Sequence, residues 1–117
     1  MIQIRRYDTP KPEPSQRFAV GALVRHRRYD YRGLVVAVDP HCMASEEWYL
    51  RNKTQPERDQ TWYHVLVHGG GATTYAAEAS LTEEWLPAEI HHPLVSVYFH
   101  SFETSYYLRN EVPWGNE

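Results

Sequence analysis

The chain reads as a mainly β domain: a small β-barrel with one short helix carried in an insertion. Three observations predict that class. Aromatic residues make up 14% of 117 residues, and they sit in short runs with Val, Ile and Thr, the residues that pack well on a pleated surface. Those runs are separated by Gly, Pro and Asp turn signals at regular spacing, which favours a barrel or sandwich over a βαβ fold. One window alone, Ser45 to Thr54, carries a helix start and stop.

Pro10, Pro12 and Pro14 alternate with polar residues near the N-terminus. Proline removes backbone donors and favours extended polyproline conformation, so residues 1–16 are expected to form a flexible arm and residues 17–117 the domain with its C-terminal extension. From Phe18 to Tyr29 the pattern places Val20, Ala22 and Val24 on one face of a strand, with Gly21, Leu23 and Arg25 opposite. Asp30 to Gly33 makes a turn. The apolar run Gly33 to Asp39, ended by Pro40, is its partner strand. In the insertion, Ser45 caps a short helix, Glu46 and Glu47 suit its positive end, and Arg51 and Lys53 suit its last turn.

Thr61 to Ala76 is the most hairpin-like stretch. Tyr63, Val65 and Val67 form its apolar face, while Trp62, His64, Leu66 and His68 form an amphipathic face to be covered by a loop or a partner. Gly69, Gly70 and Gly71 allow the return, and with no lysine or helix following they are a turn, not a phosphate loop. Val95, Val97 and Phe99 alternate with Ser96, Tyr98 and His100, which predicts a further strand over Leu94 to His100. The apolar residues of the tail (Tyr106, Tyr107, Leu108, Val112, Trp114) predict that part of it packs back on the barrel.

Length bounds this to one domain with a modest core. No apolar run approaches the roughly 20 residues of a membrane span, and neither a secretory signal nor a twin-arginine signal opens the chain, so no membrane partner is expected. Cys42 is the lone cysteine, which makes a reducing cytoplasm the expected compartment. The net charge of −3 argues against a strongly basic nucleic-acid binder, yet it is unevenly spread. From Met1 to Arg32 eight Arg and Lys face three acids, whereas from Glu78 to Glu117 one arginine faces seven glutamates. A chain so polarised can hold an anion at its basic end while staying negative in total.

The search for reactive chemistry is unproductive. His64 and His68 share a strand face but stand about 13 Å apart, too far to share an ion, and His91 and His92 point to opposite faces. No H-x-H, C-x-x-C or H-E-x-x-H occurs, so neither a metal nor another cofactor is expected. No serine sits in G-x-S-x-G, Cys42 has no base at a definable distance, and Asp39 and Glu78 are single carboxylates beside strand ends. The domain is therefore not expected to be an enzyme.

The first hairpin's tip is the positive feature. It concentrates Arg25, His26, Arg27, Arg28 and Arg32 with Tyr29 and Tyr31. Guanidinium forks suit phosphate oxygens, tyrosines stack on bases, and a β-ribbon can enter a DNA groove. The alternative is that these arginines pair with the glutamates of the C-terminal third. The candidate nucleic-acid residues are Arg25, His26, Arg27, Arg28, Tyr31 and Arg32.

Phe18 to Pro40, with its glycine, the Leu23-Val24-Arg25-His26 step, the Tyr31-x-Gly33 turn and an apolar run ending Asp39-Pro40, resembles the opening of the HspQ/YccV-like hemimethylated-DNA-binding family. Trp62-Tyr63-His64-Val65 and Tyr75-x-x-Glu78-x-x-Leu81 are similar to its second signature. These motifs cover residues 17–85, and the region from His92 to Tyr107 resembles the tail of the broader family, which includes a domain attached to some F-box proteins. The resemblance implies an SH3-like barrel and two non-enzymatic roles: binding hemimethylated duplex DNA, or acting as a heat-shock-linked factor on the Lon protease and its substrates. The second role would use the aromatic face of the central hairpin and the tail. Thr61 stands where the family usually has proline, and Arg27-Arg28 is an added basic pair. Tyr75, Glu78, Gly21 and Gly33 are structural in this reading, and homo-oligomerisation is a further expectation from the aromatic content.

Overall fold

The computed structural model describes residues 16–115; the arm expected over 1–16 lies outside them except for Gln16. Five antiparallel strands form the main sheet: β1 (Leu23–His26), β2 (Arg32–Asp39), β3 (Trp62–Val67), β4 (Thr73–Ala77) and β5 (Leu81–Glu83). Their order is β4-β3-β2-β1-β5. A 3-10 turn, Glu78–Ser80, carries the chain from β4 around to β5, which pairs with β1 through Val24↔Glu83 and His26↔Leu81. The mainly β class holds. Among the described residues no ladder joins β4 to β5, so the strand pairing shows an open five-stranded order.

The insertion between β2 and β3 holds α1, Glu46–Arg51. Ser45 Oγ accepts the Trp48 amide at 3.1 Å, the cap that the sequence predicts. In the β3–β4 turn Gly69 and Gly71 take positive φ (92° and 83°), and the Gly69 amide donates to His91 O at 2.8 Å, docking the turn on the C-terminal segment.

The expected strand over 94–100 is different in the structure. Val95–Tyr98 is a single helical turn, α2, followed by β6 (Phe99–Phe102), which pairs with β7 (Tyr107–Arg109). Leu94 and Tyr98 also satisfy helical spacing, and a short apolar run cannot be assigned by periodicity alone. The deciding interaction lies outside the run: His92 Nδ1 accepts the Leu94 amide at 3.0 Å and His92 O accepts Val95 N–H at 3.1 Å, closing the turn just after Pro93.

β3 is buried on both faces. Tyr63 and Val65 pack with Phe18, Val24, Val35, Ala76 and Leu81, whereas Leu66 packs with Leu34, Val36, Ile90, Tyr98, Phe99 and Tyr107. The amphipathic face is thus covered by the chain's own C-terminal segment and by α1, and Val67 is only half-buried. A bulge between Val35 and Ala37 breaks the alternation of β2, so that the adjacent residues Val36 and Ala37 both pack on the Leu66 cluster. The tail packs back as its composition predicts. Trp114 lies 5.2 Å from the Tyr98 ring and 5.4 Å from His64, and Arg109 Nε donates to Val36 O at 3.0 Å. Tyr63 Oη donates to Glu78 at 2.6 Å and accepts the Arg17 and Phe18 amides, tying the chain's entry to the 3-10 turn. Burial and the Glu78 carboxylate together push that phenol up to about 12.

Gly21 joins the two sheets. Its φ is +97°, its amide donates to Val35 O and its carbonyl accepts Tyr107 N–H. A Cβ there would collide with the Tyr107 carbonyl oxygen. Gly21→Ala is expected to cost about 2 kcal/mol or more, from left-handed strain plus a backbone collision. Denaturant melts of the two proteins check this; an unchanged midpoint would contradict the tie.

Candidate nucleic-acid interface

The β1–β2 turn spans residues 27–31, with Asp30 at φ 60° closing it through Asp30 N–H to His26 O at 2.9 Å. Aspartate tolerates the left-handed region, so four consecutive exposed residues, Arg27 to Asp30, project at the tip.

The six residues taken together from the sequence fall into three groups. Arg25 and Arg32 face Glu84: Arg25 Nη2 and Arg32 Nε each stand 2.7 Å from Glu84 Oε2, and Arg25 also reaches Asp30 at 3.0 Å. Arg32 donates further to the carbonyls of Leu86 and Ala88. The side chains of Arg32 and Glu84 are only 11% and 7% exposed, so Arg32 is a structural cation and not a free phosphate ligand. Burial pushes the Glu84 carboxyl up, and the two guanidinium hydrogen bonds outweigh it, leaving the group below its ordinary range.

His26 is buried, and Nδ1 accepts the amides of Arg28 (3.1 Å) and Tyr29 (3.0 Å). Those bonds place the proton on Nε2, and the ring lies between Tyr29 (4.8 Å) and Tyr31 (5.1 Å). Burial, helped by Arg28, holds its pKa below 6.5, so it shapes the tip as a neutral acceptor. The unfolded chain takes up a proton first as pH falls below 6.5, so this contribution is full above that value and lost through the folded-state pKa beneath it. Thermal stability is expected to decline from pH 7.5 to 5.5, and His26→Asn, which keeps an acceptor but no titrating group, is expected to reduce the decline. His68, also lowered by burial, contributes in the same direction. A pH profile identical in the variant would contradict the assignment.

Arg27 and Arg28 make up the third group. Both are exposed, and among the described residues neither has a carboxylate partner. The Arg27 amide donates to Ser80 O at 2.9 Å and its Nε to Leu81 O at 3.2 Å, while the Arg28 guanidinium lies 5.8 Å over the Tyr29 ring. Tyr29 is 52% exposed. Tyr31 is half-buried, its hydroxyl 2.7 Å from Thr74 Oγ1, which couples the first hairpin to β4.

Beside the tip opens a cleft of about 390 Å³ that sequence reasoning missed. Tyr29, Tyr31, Trp48, Trp62, His64 and Tyr75 supply its aromatic lining. Trp48 sits 5.6 Å from Tyr75 and 6.2 Å from Trp62, and His64 sits 4.4 Å from Tyr75. Behind it Asp39 Oδ2 accepts from Tyr75 Oη at 2.5 Å and lies 3.1 Å from His64 Nε2. Burial and that carboxylate raise the Tyr75 phenol, so it stays protonated. The Trp48-Tyr49 pair on a short helix was the available signal, but nothing local says which face of which hairpin it covers.

The family model of the hemimethylated DNA-binding protein YccV matches residues 16–106, beyond the stretch that carries the sequence motifs. F-box only protein 21 of Homo sapiens and of Mus musculus are each 35% identical to the chain over 97 residues, covering 80% of this chain and 15% of each relative. F-box only protein 21 of Pongo abelii matches to the same extent. The chain therefore corresponds to a small part of the length of these relatives.

Proposed function

The chain belongs to the YccV-like family, and from that membership together with the tip geometry we propose that it is a non-enzymatic module that binds duplex DNA through the β1–β2 turn. The observation that carries the reading is the pair Arg27 and Arg28, two exposed residues whose guanidinium groups have no carboxylate partner among the described residues, beside an exposed tyrosine. They would take phosphate oxygens on the DNA backbone, with Tyr29 brought against a base or the sugar edge. Arg25, Arg32 and Glu84 hold the tip in place from behind. The preference for hemimethylated duplex is the finer part of the proposal and rests on the family's description. An SH3-like barrel is the matching finer reading of the fold, supported by the strand order and by the 3-10 turn that returns β5 to β1.

The protease-adaptor role, implied by the earlier resemblance, has less to stand on. Its two surfaces, the aromatic face of β3 and the tail, are spent on α1, His64 and Tyr98. Exposed apolar side chains away from those surfaces include Met43, Leu50 and the neighbouring pair Trp85 and Leu86, Trp85 being 82% exposed.

Fluorescence anisotropy with unmethylated, hemimethylated and fully methylated duplexes of one sequence, across a salt series, tests the proposal. Binding that weakens steeply with salt and favours the hemimethylated duplex is expected; equal weak binding at all salt concentrations would sink it.

A further inference from the structure

We propose that the aromatic cleft receives a single nucleobase swung out of the duplex, the methylated base where one is present. This rests on the DNA-binding reading of the tip and names what the neighbouring cavity does.

The tip and the cleft are one continuous surface. Tyr29 belongs to both: Arg28 lies over its ring, and the residue lines the cleft. Ser80, on the cleft wall, accepts the Arg27 amide. A strand held by its phosphates at Arg27 and Arg28 therefore presents its nucleotides at the cleft mouth.

Size and chemistry select the occupant. At about 390 Å³ the cleft is at the small end of ligand sites, room for a base with its sugar and not for a long peptide. Among the described residues its lining contains no Asp, Glu, Lys or Arg, so it suits a neutral planar group and leaves phosphate to the arginines outside. Tyr and Trp faces on several sides supply the stacking that replaces the neighbours a base loses when it leaves the helix. Polar groups for reading an edge are also present. Asn52 and Thr73 line the cleft and carry such groups. A methyl on that base meets aromatic carbon, which favours the methylated form by about fourfold, the effect of one buried carbon.

The test uses duplexes carrying 2-aminopurine at each position in turn around the methylated base, with anisotropy followed in the same samples. The expected result is a rise in 2-aminopurine fluorescence at one position on binding, and about tenfold tighter binding when that base faces a mismatch, because unpairing then costs less. Thr73→Trp, which plugs the cleft from an exposed position, and Trp48→Ala, checked for folding by circular dichroism, are expected to lose the fluorescence rise while keeping the salt-dependent anisotropy. Duplex binding with no fluorescence change at any position, and no gain from a mismatch, overturns the inference and leaves the tip reading intact. No binding to duplex or to single-stranded oligonucleotide overturns both. Wild-type protein that takes a proline-rich peptide in the cleft, with DNA failing to displace it, overturns the inference in favour of a peptide site.

Discussion

Replacing Arg27 and Arg28 together by alanine is expected to remove most duplex binding while leaving the melting temperature unchanged. Each phosphate contact contributes about 0.9 to the slope of log affinity against log salt, so losing two should reduce the slope by about 2 and weaken binding by tenfold or more at low salt. The stability half of the expectation follows from placement. Both residues are exposed and among the described residues pair with no carboxylate, and surface substitutions of that kind change stability by less than about 0.5 kcal/mol. The contrast with Arg25 and Arg32 gives the experiment its force, because the sequence presents all four arginines as equivalent. If the double variant keeps the wild-type salt slope, the tip is not where DNA is held.

Arg32→Ala is expected to do the reverse. It would leave Glu84, 7% exposed, with Arg25 alone, and strip the Leu86 and Ala88 carbonyls of their donor. Removing one partner of a buried ion pair costs about 3–5 kcal/mol when the remaining charge is left unpaired, and with Arg25 still on Glu84 the loss is expected at the low end, about 3 kcal/mol. That corresponds to a fall of roughly 12 °C or more in melting temperature for a domain of this size. Arg25→Ala, at a more exposed position, is expected to cost less. The same site sets an acid limit. The folded-state pKa of Glu84 is lowered, so its contribution is complete above the ordinary value of 4.5 and is lost as pH falls below it through the folded-state pKa. Glu84→Gln should be less stable at neutral pH and lose less on acidification. Equal stability of wild type and Arg32→Ala at pH 7 would show that the Glu84 pairing does not hold the hairpin.

Much of the frame was legible because its signals are local. Gly33 to Asp39 and Trp62 to Val67 announce strands by their β-branched and aromatic content, Ser45 announces α1, and the glycines after His68 announce the turn. What was not legible depends on residues far apart in the chain. Glu84 lies 52 and 59 residues from the arginines it binds, and one glutamate among seven in the C-terminal third carries no mark that selects it. The division of the basic cluster into clamp and tip therefore appears only in three dimensions. The turn at Val95–Tyr98 was misread as strand because His92, outside the apolar run, decides it. His26 looks like one more basic side chain until its Nδ1 is seen accepting two amides. The cleft needs α1 and both hairpins to meet before its aromatic residues share a wall.

The most direct test of the account is to follow the backbone amides by 15N–1H NMR while a hemimethylated duplex is added. The expected result is that Arg27, Arg28, Tyr29 and the adjoining Ser80 shift first and most, with the shifts shrinking as salt rises. Shifts confined to the region of Trp85 and Leu86, with the tip unmoved, would contradict the account and place the working surface on the segment that follows Glu84.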